Sequence, residues 1–195
     1  MTRIATCLAL LAGCGAAMAA CPPGQYEVCV TDCICLPEAR EVIGPLHGEA
    51  TRVAAAALQH WLVQAHADAR AGGVERIPAA IRARLAPYFD AALLDGVRYR
   101  VGDRSEIGTA GAMLNNPDIK AVTLIDIILF RDAQAASADA VLWAHELVHA
   151  QQFREWGVAA FARRYTADAD SVERPAYAMQ FKVAKALREK NVHRE

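Results

Sequence analysis

The sequence has no basic run, no acidic tail and a net charge of only −1. That balance leaves no electrostatic footprint for nucleic acid or for an anionic membrane surface. It also lacks an internal repeat of solenoid length, which excludes stacked-repeat architectures. The one long apolar stretch, Ile4 to Ala20, is short and alanine-rich for the roughly 30 Å of hydrocarbon that a spanning helix must cross. What is present suits a packed core: 195 residues, 54% of them hydrophobic and 22% charged, the size of one domain once a leader is removed.

That first stretch reads as the leader. Met1-Thr2-Arg3 supplies a positive start, and Ala17-Met18-Ala19 is a small-x-small cleavage pattern. Residues 1–20 are therefore expected to be a signal peptide, which places the mature chain in the periplasm or outside the cell. Leu11-Ala12-Gly13-Cys14 offers an alternative, a lipobox that would leave a lipid anchor at Cys14 and hold the protein on the bacterial envelope. Cys7 and Cys14 fall within the leader. Cys21, Cys29, Cys33 and Cys35 remain, an even number crowded into a short arm at residues 21–45. In an oxidising compartment they read as two disulfides, with three pairings open. A zinc knuckle is disfavoured, because Cys33-x-Cys35 is tighter than the usual ligand spacing.

Residues 46–195 form the expected main domain. Helix is expected over 48–71, with Val53, Ala56, Ala57, Trp61 and Val63 or Gln64 on one face and Gly72-Gly73 as the stop. Pro78 can open a second helix running to about Leu85. Val97 to Val101 alternates as a half-buried strand does, and Ile119 to Phe130 is β-branched enough to be the main strand of a small sheet. Ala138 to Trp156 returns to helix. Ser171 to Lys190 follows with Val172, Ala176, Met179, Val183 and Leu187 recurring every three or four residues. Helices, then strands, then helices imply an α+β fold with a small sheet.

The chemistry concentrates in His145-Glu146-Leu147-Val148-His149. Histidines at i and i+4 stack on one helical face, where two imidazoles can reach a single Zn²⁺. Glu146 then stands beside the ion without ligating it, placed to take a proton from water. The flanking Leu142, Trp143, Ala144 and Ala150 argue against two histidines on a solvated face. A catalytic zinc needs a third protein ligand. A metzincin extension is absent, since position 152 is Gln and position 155 is Glu. Asp168, Asp170 and Glu173 come next. Glu173, opening the last helix, is favoured and corresponds to a gluzincin arrangement; Asp168 or Asp170 would make an aspzincin. His47, His60, His66 and His193 carry no spacing signal.

Three segments resemble one bacterial family. Leu94-Asp95-Gly96-Val97-Arg98-Tyr99, then Ala121-Val122-Thr123-Leu124-Ile125-Asp126-Ile127-Ile128-Leu129-Phe130, then Leu142-Trp143-Ala144-His145-Glu146-Leu147-Val148-His149-Ala150-Gln151-Gln152 follow its pattern. Together they resemble the HExxH metallopeptidase core domains associated with extracellular contractile injection systems. The strand departs from that pattern at Ile125, where the family has Gly, and the Gln pair sits one place early. The resemblance implies a minimal gluzincin-like fold over about Asp90 to Phe153.

The expected function is peptide-bond hydrolysis in an exported protein. Zn²⁺ on His145, His149 and Glu173 would activate water, with Glu146 as general base. Tyr177 or Tyr165 would stabilise the oxyanion, and Val122–Phe130 would pair an extended peptide or protein substrate. The alternative is a zinc-binding envelope or toxin-associated domain, secreted or lipid-anchored, that turns nothing over.

Overall fold

The computed structural model describes residues 21–23, 25–29, 33–37, 45–102 and 119–192. The leader, including Cys7 and Cys14, and His193 lie outside them. The fold is α+β and predominantly helical, as the element order implied. In the Cys arm, β1 (Gln25–Cys29) pairs antiparallel with β2 (Cys33–Pro37). Cys21 is disulfide-bonded to Cys35, with a Cα–Cα distance of 5.6 Å. That is one of the expected bridges. Cys29 and Cys33 stand opposite each other in the hairpin backbone, but a bond between them would involve side chains outside the described set.

Helix α1 (Pro45–Ala71) ends where Gly73 takes a φ of 88°, a conformation that glycine adopts without a steric penalty. Its buried face shares only Trp61 with the one expected. Ala55, Trp61, Leu62, Ala65 and Ala69 are buried, whereas Val53 and Val63 are 60% and 44% exposed, and Ala56, Ala57 and Gln64 are exposed too. Alanine fits either side of a helix, so an alanine-rich stretch leaves the phase to its few large residues. Leu58, Trp61 and Leu62 set it here.

The main sheet has the order β3-β4-β6-β5. Strand β3 (Glu75–Arg76) is antiparallel to β4 (Arg98–Val101), which runs parallel to β6 (Ile127–Phe130), and β5 (Ala121–Leu124) is antiparallel to β6. Between β3 and β4 lie α2 (Ala79–Leu85), starting after Pro78 as expected, and the short α3 (Ala91–Gly96). The segment expected to be one strand, Ile119 to Phe130, is instead a hairpin. As a single strand its twelve residues would reach roughly 40 Å, far beyond a small sheet. The chain turns at Ile125-Asp126 and pairs Leu124 with Ile127.

Ile125 is the only non-glycine residue with positive φ among the described residues, at 62°. A β-branched side chain is costly there, by about 1–3 kcal/mol. This is the position at which the related pattern carries Gly. The turn is held from outside. Asp126 accepts from His66 (2.5 Å) and Arg70 (3.0 Å) of α1, and its carbonyl accepts from the Arg98 backbone N–H (2.8 Å). Ile125→Gly should therefore change unfolding free energy by less than about 1 kcal/mol, relief of strain offsetting lost packing and added chain entropy. Ile127→Ala, from the fully buried β6, should cost about 2–5 kcal/mol. Urea titration of both variants checks the contrast.

All four residues of β6 are buried, because both sheet faces are covered. Ile127 and Leu129, with Leu124, face Trp61 and Leu62 of α1. Ile128 and Phe130 face the other way, onto Trp143, Ala144 and Leu147. Those three belong to α5 (Ala140–Trp156), which follows α4 (Ala133–Ala138). Asp139 caps α5 by accepting from the Val141 and Leu142 backbone N–H groups, and Gly157 ends it at a φ of 74°. Helix α6 (Val158–Ala167), which the sequence reading did not anticipate, leads to α7 (Ala169–Val192). Along α7, Val172, Ala176 and Val183 are buried, and Met179 and Leu187 are partly so, as the periodicity indicated. Helix α5 thus lies between the sheet and α7, and its polar residues must find partners there.

Candidate metal centre

His145 and His149 project from α5 onto the first turns of α7, where Glu173 meets them. The two Nε2 atoms are 3.1 Å apart, and Glu173 Oε2 lies 3.2 Å from His145 Nε2 and 3.4 Å from His149 Nε2. Three atoms held 2.0–2.1 Å from one tetrahedral ion would stand about 3.3–3.4 Å apart. The triangle therefore has the size of one face of a zinc coordination shell.

The protonation pattern points the same way. His149 Nδ1 faces Gln152 Oε1 at 2.9 Å, and His145 Nδ1 faces Gln180 Oε1 at 3.1 Å. Gln152 Nε2 donates to the Val172 carbonyl, so its oxygen faces His149, which carries its proton on Nδ1. With the Gln180 oxygen likewise toward Nδ1 of His145, both Nε2 lone pairs converge on a carboxylate oxygen. Three acceptors meeting in a largely buried site repel one another unless a cation joins them. The alternative to a metal is a proton. Burial opposes charge on His149, but its hydrogen bond to Glu173 and the charges of Glu146 and Glu173 outweigh that and raise its pKa. Burial likewise pushes the Glu173 carboxyl up, while hydrogen bonds and charge from His145 and His149 hold it well below the carboxylate range. Either way the cluster demands positive charge at its centre. Among the described residues, His145, His149 and Glu173 form a group that could hold a metal ion.

The rival third ligands are placed elsewhere. Asp168 Oδ1 accepts from the Ser171 backbone N–H at 3.1 Å, capping α7. Asp170 is exposed in the first turn of α7 and does not join the group. Glu146 is buried, and its Oε2 accepts from Thr123 Oγ1 at 2.7 Å. The same hydroxyl lies 3.0 Å from the Glu146 carbonyl, but its single proton favours the shorter, charge-assisted contact. Tyr165 lies near Glu173; burial and that carboxylate together push its phenol well above the usual range. Tyr177 is half-exposed, with its ring edge-on to His145 at 4.8 Å between centroids.

Thr123 and Gln180 were not anticipated as site residues. Thr123 was visible only as part of a strand match. Gln180 did have a signal, since Glu173, Tyr177 and Gln180 follow at four and three residues on one helical face.

Residues 76–157 match the family model of the eCIS core domain. The match spans β3 to the glycine that ends α5, and so includes His145, Glu146 and His149 but stops short of Glu173. No curated protein and no solved structure matches the chain.

Proposed function

We propose, taking the eCIS core domain match as the premise, that this chain is an exported zinc-dependent metallohydrolase that cleaves peptide bonds. The observation that carries the reading is the convergence of two imidazole lone pairs and a carboxylate, with a buried glutamate next in sequence on the same helix. When bound, zinc supplies a Lewis acid for the substrate carbonyl and brings the pKa of water toward ~7. His145, His149 and Glu173 would hold it.

Glu146 takes the proton of the attacking water on the carboxylate oxygen that Thr123 leaves free, and returns it to the departing amine. Tyr165 is largely enclosed near Glu173, with its phenol pushed well above the usual range, and is poorly placed to reach a substrate. Tyr177, open to solvent beside His145, is the better placed of the two to donate to an oxyanion.

The sheet register supports a substrate site at the outer edge of β5. Lys120 accepts a backbone hydrogen bond from Arg131, so Val122 and Leu124 also point their backbone groups at β6. Ala121 and Thr123 then direct theirs away from β6, along the side of β5 that no described strand pairs. An extended peptide can add there, next to Glu146. No described helix is long and apolar enough to cross a membrane, and the Cys21–Cys35 disulfide is compatible with export.

The direct test is metal analysis of the purified protein, followed by a peptide-library digest with and without chelator. One zinc per chain and chelator-sensitive cleavage are expected. Zinc with no cleavage of any library member would instead favour the non-catalytic envelope or toxin-associated domain. Absence of zinc would sink both readings.

A further inference from the structure

We propose that Gln152 is a positioning residue that couples the ligand state of His149 to the seating of the helix bearing Glu173. The inference rests on the metal reading above. Gln152 is 4% exposed and lies between α5 and α7 with both ends of its amide engaged. Oε1 accepts from His149 Nδ1–H at 2.9 Å, and Nε2 donates to the Val172 carbonyl at 2.8 Å.

The second contact determines the first. A backbone carbonyl only accepts, so the nitrogen of the amide must face Val172 and the oxygen must face His149. A reversed amide would set oxygen against oxygen at hydrogen-bond distance. With the oxygen on its Nδ1 side, His149 must hold its proton there, and Nε2 is left bare toward the site. The instruction thus runs from the α7 backbone, through one amide, to the ligating lone pair.

Val172 immediately precedes Glu173. The contact that orients the second ligand therefore also fixes where the third one starts. If α7 slid or rotated against α5, Gln152 would lose its acceptor, the tautomer of His149 would be released, and Glu173 would leave the triangle together with them. His145 is referenced to the same helix through Gln180, but that contact is longer and partly buried, and among the described residues no second hydrogen bond of this kind ties it. Among the described residues, Gln152 is the side chain hydrogen-bonded both to a ligating histidine and to the α7 backbone beside Glu173.

Competition for zinc against a chromophoric chelator, using the full chain, tests this. Gln152→Met keeps length and apolar volume but removes both hydrogen bonds; zinc affinity should fall 10- to 100-fold. Gln152→Glu keeps an acceptor for His149, and should recover more of the affinity than of the chelator-treated protein's thermal stability. A residue that only fills space predicts that Met matches wild type and Glu is worse. A second measurement does not depend on the variants folding. Long-range ¹H–¹⁵N spectra of the chelator-treated wild-type chain, at a pH where the imidazole is neutral, should show His149 as the Nδ1–H tautomer. An Nε2–H tautomer, or unchanged affinity in Gln152→Met, would overturn the inference and leave the metal site standing. Wild-type protein that takes up no zinc would overturn both.

Discussion

Glu146→Gln should retain zinc and lose peptide hydrolysis by roughly 10²–10⁴-fold, the range typical for removal of a general base. The substitution is nearly isosteric. Its amide oxygen can still accept from Thr123 Oγ1, which now holds Glu146 at 2.7 Å, so the side chain should keep its place in the buried site. What it cannot do is take up a proton. Loss of the negative charge near His149 should alter metal affinity only slightly, because the three ligating atoms are untouched. Bound zinc and digest rates measured on one preparation separate the two effects. Hydrolysis persisting at the wild-type rate would remove Glu146 from its role, and loss of zinc would show it to be structural.

Glu173→Ala should lower zinc affinity by more than about 100-fold, beyond what the loss of a group behind a ligand usually costs. The substitution removes the only anionic member of the triangle, leaving two neutral imidazoles facing each other at 3.1 Å. The first turns of α7 lose their tie to both imidazoles at the same time. The variant should therefore be less stable than wild type even after chelator treatment. Metal analysis and chelator competition check the first effect, and urea titration the second. Unchanged stoichiometry and affinity would move the ligand role to Asp168 or Asp170, against the cap that Asp168 now forms.

The parts of this site that could be read from sequence are those that obey a helical period. His145 and His149 are four apart inside a continuous helix, so their shared face followed from geometry alone. Glu173 was favoured because it opens the helix whose period Val172, Ala176, Met179 and Val183 mark, from which a carboxylate can project onto the histidine helix as in a gluzincin. Where side chains gave no contrast, the reading failed. Alanines hid the inward face of α1. The hairpin was concealed because its turn carries Ile125 in a conformation normally signalled by Gly or Asn. Thr123 and Gln180 act through single hydrogen bonds across elements, which no local pattern encodes. Helix α6 is short and lies between two stronger helical signals, and its buried Phe161 packs on Phe153 at 3.9 Å across Gly157.

The placement of the ligands on two helices has a topological effect. Glu173 follows His149 by 24 residues, and the intervening chain includes all of α6. An ion shared by those two side chains closes that stretch into a ring. Chain statistics put the denatured-state entropy removed by a cross-link of this size at about 3.5 kcal/mol, comparable to a disulfide over the same span. The Cys21–Cys35 bridge secures the arm at one end of the protein; zinc would act as the corresponding staple for its C-terminal third. Against proteases that sample every transient opening, the loaded protein should resist nicking within α6 far longer than the stripped one.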